Sequence, residues 1–133
     1  MGFFTKLKDI REYRKAFIVA KLDALNALET SMLSVTLYDT KKEYVFRTYS
    51  TLMDLSENYW NRHKRLIDKV IKYPEASFMA KHDALSFARI YEGCAKKLAF
   101  VCIAFATVGG FQPVRCKEMM DNVAIYPDIT PAP

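Results

Sequence analysis

The side chains best equipped for chemistry are two histidines, His63 and His82, and three cysteines, Cys94, Cys102 and Cys116. A cysteine beside a histidine, Cys94 with His63 or with His82, would supply a thiolate nucleophile, because imidazole takes the thiol proton. Such a site also needs a residue to orient the imidazole and donors to hold an oxyanion, and neither can be read in this chain. The cysteines lack the close ligand pairs of zinc sites, and no glutamate stands three residues before a histidine as in di-iron bundles. No catalytic residue, metal or cofactor is therefore expected. His63 falls on an apolar stripe and reads as a packed core histidine. An odd number of cysteines without paired spacing predicts free thiols in a reducing compartment.

Charge offers a second kind of chemistry. The formal net charge is +5, and Arg62, Lys64, Arg65, Lys69 and Lys72 face only Asp68 over eleven residues, directly after Tyr59 and Trp60. Arg62, Arg65, Lys69 and Lys72 share one helical side at steps of three and four. A cation row of this kind can follow phosphates while an aromatic ring stacks on a base. Trp60, Arg62, Arg65, Lys69 and Lys72 are therefore the candidate residues for nucleic acid or another polyanion. The competing account is a solvated face beside core aromatics.

The N-terminal segment mixes Phe3, Phe4, Leu7 and Ile10 with Lys6, Lys8, Arg11, Arg14 and Lys15, in the manner of an interfacial anchor. Asp9 and Glu12 interrupt that basic face, so a membrane surface is not expected as a partner. Early charges and the missing apolar leader core argue against a secretory signal, and Lys6 stands where a myristoylation signal wants Ser or Thr. The expected location is cytoplasmic.

The elements that position these residues follow from periodicity. Apolar residues make up 51% of the 133 and charged residues 26%, a balance that favours one folded domain over disorder. Leu7, Ile10, Phe17, Ile18, Leu22, Leu25, Leu28 and Met32 recur at helical steps, giving a first helix over about 4–38 that ends in a turn at Asp39. Thr40-Lys-Lys-Glu43 has the form of a capping box and should open a second helix, about 40–73. Its stripe is Val45, Tyr49, Leu52, Tyr59, His63, Leu66, Val70 and Tyr73, with a seven-residue step across Ser56. Pro74 should stop it and begin a third helix over 74–108, closed by Gly109-Gly110.

The third helix enters a run without charge, Leu98 to Val114. A helix that is apolar all round must be buried by its own core, a partner or lipid. Its helical part, Leu98 to Val108, spans roughly 17 Å, against the roughly 30 Å hydrocarbon layer of a bilayer. Ala88, Ala95, Ala99, Cys102 and Ala106 form a small-residue stripe distinct from Phe87, Tyr91, Leu98 and Phe105, which implies packing neighbours on two sides. Phe100 and Ile103 point elsewhere and require a cover.

The fold expected is all-α: an antiparallel bundle of three long helices within 1–110, followed over 111–133 by a short helical element and an extended proline-rich tail of the same domain. The function expected is non-enzymatic, that of an adaptor or assembly protein binding itself or a protein partner through apolar helix faces, with no small-molecule substrate. The contact residues expected are Phe100, Ile103, Val108 and Phe111, then Ile125, Tyr126 and Ile129 of the tail. The alternative is the polyanion-binding face between Arg62 and Lys72.

Overall fold

The computed structural model describes residues 3–33 and 38–129, and these form four helices with no strand among them. Helix α1 spans Phe3–Leu33, α2 Tyr38–Lys72, α3 Phe78–Gly109 and α4 Val114–Asp121. Two boundaries depart from the sequence reading. Helix α2 already starts at Tyr38, so Thr40 is its third residue and not its cap, and the turn expected at Asp39 falls inside the helix. Residues 34–37, where the connection must run, lie outside the described residues, as do the side chains of Leu25, Leu28 and Met32.

Helix α3 starts at Phe78, four residues later than expected. Pro74 and Glu75 form a turn instead, closed by the Ala76 N–H donating to the Tyr73 carbonyl at 3.2 Å. Ser77 then takes an extended conformation and its hydroxyl accepts from the Ala80 N–H at 3.2 Å. Serine satisfies an orphan helix amide at this position, which proline at the first turn does not.

The other end of α3 follows expectation. Gly110 adopts a left-handed conformation with φ 70°, its N–H reaches Thr107 O, and the Phe111 N–H reaches Ala106 O, the paired bonds of a Schellman cap. Phe111 is thereby folded back onto Phe46 and Tyr49, with ring centroids 5.3 and 4.9 Å apart. A Cβ on Gly109 would stand 2.5 Å from the Phe111 ring, so glycine is what admits that ring.

Helices α2 and α3 form the central pair. Val45 lies beside Gly109, Ser56 beside Ala95, and Val70 beside Leu85, so the two helices run in opposite directions. The seven-residue step in the α2 stripe is filled by Ser56 itself: fully buried, it donates to the Ala95 carbonyl at 2.7 Å. Met53, Trp60 and Ile67 form a second buried column on α2, wider than the stripe read from sequence. Tyr73, the last residue of that stripe, is exposed because it belongs to the turn.

The small-residue stripe of α3 is buried throughout, from Ala88 to Ala106. It accommodates α4, whose Cys116 thiol approaches Met53 Sδ at 3.2 Å and the Ala99 carbonyl at 3.6 Å. Arg115 secures the same helix from outside, with bonds of 3.0 Å to both Glu57 oxygens and 2.6 Å to Asp54 Oδ1. Ala99→Leu is expected to destabilise the protein by about 1–3 kcal/mol, because extra methylenes there must displace α4. The midpoint of urea unfolding checks this, and an unchanged midpoint would mean that α4 does not rest on Ala99.

Candidate interaction surface

Helix α1 is held through a polar hub. Tyr59 donates its hydroxyl to the Asp9 carbonyl at 2.6 Å, Tyr91 donates to Asp9 Oδ2 at 3.2 Å, and Arg62 pairs with the same carboxylate. Tyr13 meets Tyr59 edge-on at 5.7 Å and Tyr59 stacks on Tyr91 at 5.8 Å. Burial pushes the phenols of Tyr13, Tyr59 and Tyr91 up to about 12, so they stay protonated and serve as donors or packing surface.

That hub sets the rotation of α1. Its inward residues are Tyr13 and Ala20, with Phe17 partly buried between them. Ile18 and Leu22, which the sequence reading placed on the buried stripe, are 59% and 57% exposed, and Val19 beside them is 57% exposed. The reason is that the inward face uses a tyrosine and an alanine, which weigh little as hydrophobes, while larger aliphatic residues occupy the outside.

Next to this outward face lies an open groove of about 760 Å³ between α1 and α2. Its walls include Ala16, Val19 and Ala20 from one helix and Leu52 and Leu55 from the other, with Lys15, Asp23 and Arg47 also lining it. Three large aliphatic side chains thus stand in water beside a groove lined by aliphatic residues and by charges of both signs.

The contact residues expected from sequence separate into three groups. Phe111 is a core plug, and Ile103 and Val108 are partly buried against the main core. Tyr126 and Ile129 pack on the cluster of Ile67, Val70, Leu85 and Ala88, so the described part of the tail lies on its own helices. Phe100 and Ile125 alone protrude, 63% and 83% exposed. The tail does not cover Phe100: its start is tied by the Trp60 indole N–H donating to the Asn122 carbonyl at 3.2 Å, and its Tyr126 sits 6.4 Å from the His63 ring. Residues 123–129 have no regular secondary structure, and Pro131 and Pro133 lie outside the described residues.

The cation row is also divided. Trp60 is 3% exposed, its ring enclosed and its N–H engaged, so it presents no face for a base. Arg62 is drawn inward by Asp9, held by Asn58 Oδ1 at 3.2 Å, and lies over the rings of Tyr59 and Tyr91. Arg65, Lys69 and Lys72 stand in solvent.

The nucleophile candidates are enclosed. Cys94, Cys102 and Cys116 are free and buried. Burial pushes the Cys94 thiol up to about 11, and the hydrogen bond with Cys116, aided by burial, holds Cys102 well above the usual thiol range. His63 is fully buried; its Nδ1 donates to the Trp60 carbonyl and its Nε2 lies 3.7 Å from Glu92. Among the described residues no cluster of three or more His, Cys, Asp or Glu is arranged to hold a metal ion. No described helix is long and apolar enough to cross a membrane, the charge-free part of α3 included. Compared with known proteins, the chain matches no family model, no curated protein and no solved structure.

Proposed function

We propose that this chain is a non-enzymatic helical interaction protein that assembles with a second copy of itself through the outward face of α1. In this reading the three long helices form one antiparallel bundle, the proline-rich tail lies along it, and the bundle is a platform for the exposed face. The observation that carries the proposal is the exposure of Ile18, Val19 and Leu22 beside the α1–α2 groove. A lone exposed leucine is ordinary, whereas contiguous large aliphatic residues in water favour association. Phe100 and Ile125 are additional protrusions that a larger assembly would cover.

The test is light scattering after size exclusion over a range of concentrations. Wild type is expected to form a multimer, and Ile18→Asp with Leu22→Asp to give a monomer with the helix content of wild type, since neither side chain packs in the core. A wild type that remains monomeric at every concentration overturns self-association. A multimer that survives the double variant overturns the α1 face, and Phe100→Asp then examines the outer side of α3.

The second reading, a module binding nucleic acid or another polyanion, rests on Arg65, Lys69 and Lys72, which face solvent. It lacks the stacking ring and the fourth cation because Trp60 and Arg62 are engaged in the fold.

A further inference from the structure

The turn between α2 and α3 combines exposed apolar side chains with a surplus of cations. Within nine residues it exposes four large apolar side chains, Ile71 at 58%, Tyr73 at 45%, Phe78 at 39% and Met79 at 63%. The same end of the molecule is cationic: from residue 64 to residue 81 five Lys and Arg oppose only Asp68 and Glu75, a net +3 out of +5 for the whole chain. Because α2 and α3 are antiparallel and the turn is short, these side chains stand at one tip of the helix pair. Behind the turn is an apolar hollow of about 520 Å³, floored by Leu66, Val70 and Ala84 and lined also by Lys69 and Lys81.

We propose that this tip docks on an anionic lipid bilayer, with Ile71 and Met79 entering the interface and Lys69, Lys72 and Lys81 meeting the headgroup phosphates. Exposed apolar side chains flanked by cations suit insertion between lipids, and the summit between them carries Pro74 and a single acid, Glu75. Tyr73 beside the summit is a side chain that favours the headgroup level, and Phe78 adds to the apolar surface. Lys72 lies over the Tyr73 ring at 5.8 Å, and Lys81 bonds the Pro74 carbonyl, so both cations are held at the summit. Lysine stems cover apolar surface while their ammonium groups stay with water or phosphate. Neither half suffices alone: stable attachment to a membrane surface takes an apolar insertion together with a basic patch. A nucleic acid would use the cations but would have no use for Ile71 and Met79. This inference stands apart from the α1 face and does not depend on self-association.

Co-sedimentation of the full chain with vesicles tests it, comparing pure phosphatidylcholine with phosphatidylcholine containing phosphatidylserine. Binding is expected on the anionic vesicles, weakened by raised salt, and absent on the neutral ones. Ile71→Ser with Met79→Ser is expected to lower the affinity roughly 30-fold, and Lys69→Gln with Lys72→Gln to lower it by a similar factor. These residues are exposed, so circular dichroism and melting temperature should match wild type in both variants. The proposal is overturned by no binding to anionic vesicles, by equal binding to neutral ones, or by full binding of the Ile71→Ser, Met79→Ser variant. It is likewise overturned if a mixed-sequence oligonucleotide or a soluble single-chain fatty acid is bound while vesicles are not.

Discussion

Phe105→Ala is expected to destabilise the protein by about 3–5 kcal/mol, the range for removing a fully buried aromatic ring from a core that cannot collapse around the gap. Phe105 is the largest of the fully buried side chains among the described residues and belongs to the main core cluster with residues of all four helices. In a chain of this size the loss should lower the melting temperature by roughly 10 °C or more. Phe100→Ala, in the same charge-free run, should fall within about 0.5 kcal/mol of wild type because its side chain is 63% exposed. The two positions differ by roughly 140° around the helix. Urea unfolding of both variants therefore reports which side of α3 faces inward, and equal losses would refute the rotation described for it.

Stability should also fall as the pH drops below about 6.5, the ordinary value of histidine in the unfolded chain. Burial of His63 pushes its ionisation down in the folded protein; the Trp60 carbonyl and Glu92 pull the other way, while Lys64 and Lys96 add to the lowering. A folded group with a depressed value binds fewer protons than its unfolded counterpart. Its contribution is thus complete above the unfolded value and is lost as the pH falls towards the folded one. One such group gives a slope of at most about 1.4 kcal/mol per pH unit.

The geometry gives this a specific form. With Nδ1 donating to the Trp60 carbonyl, neutral His63 turns a lone pair at Nε2 towards Glu92, and no donor among the described residues satisfies it. Protonation would place an N–H there, directed at a carboxylate 3.7 Å away, which partly offsets the cost of a buried charge. Glu92→Gln should therefore extend the pH-dependent loss to lower pH, and His63→Gln should flatten it. Melting curves between pH 7.5 and 5.5 measure both. A wild-type profile as flat as that of His63→Gln would mean that the imidazole is not kept neutral by the fold.

Helix content was legible in the sequence because it is written in short-range periodicity. The α2 stripe from Val45 to Val70, the stop at Gly109-Gly110 and the small residues of α3 each depend on neighbours three or four positions away. Helix starts were less legible, since Pro74 and Ser77 both offer a plausible first turn, and only the extended backbone at Ser77 with its bond to Ala80 selects the second. The hub that fixes α1 could not be read at all. Asp9 meets Tyr59, Arg62 and Tyr91 across 50 to 82 residues of chain, and no local spacing encodes such a meeting.

The same division applies to the candidate surfaces. The sequence by itself determined a helical chain with a row of cations in α2 and a charge-free segment too short to span a bilayer, because composition and local spacing govern those properties. Only the tertiary structure decided which apolar residues remain in water. It turned Ile18 and Leu22 outward, folded Phe111 over Gly109, laid Tyr126 and Ile129 on the chain's own helices, and withdrew Trp60 and Arg62 from the basic side. The physical reason is that a helix stripe specifies a direction around its own axis, whereas burial depends on which other helix, brought close by distant contacts, occupies that direction.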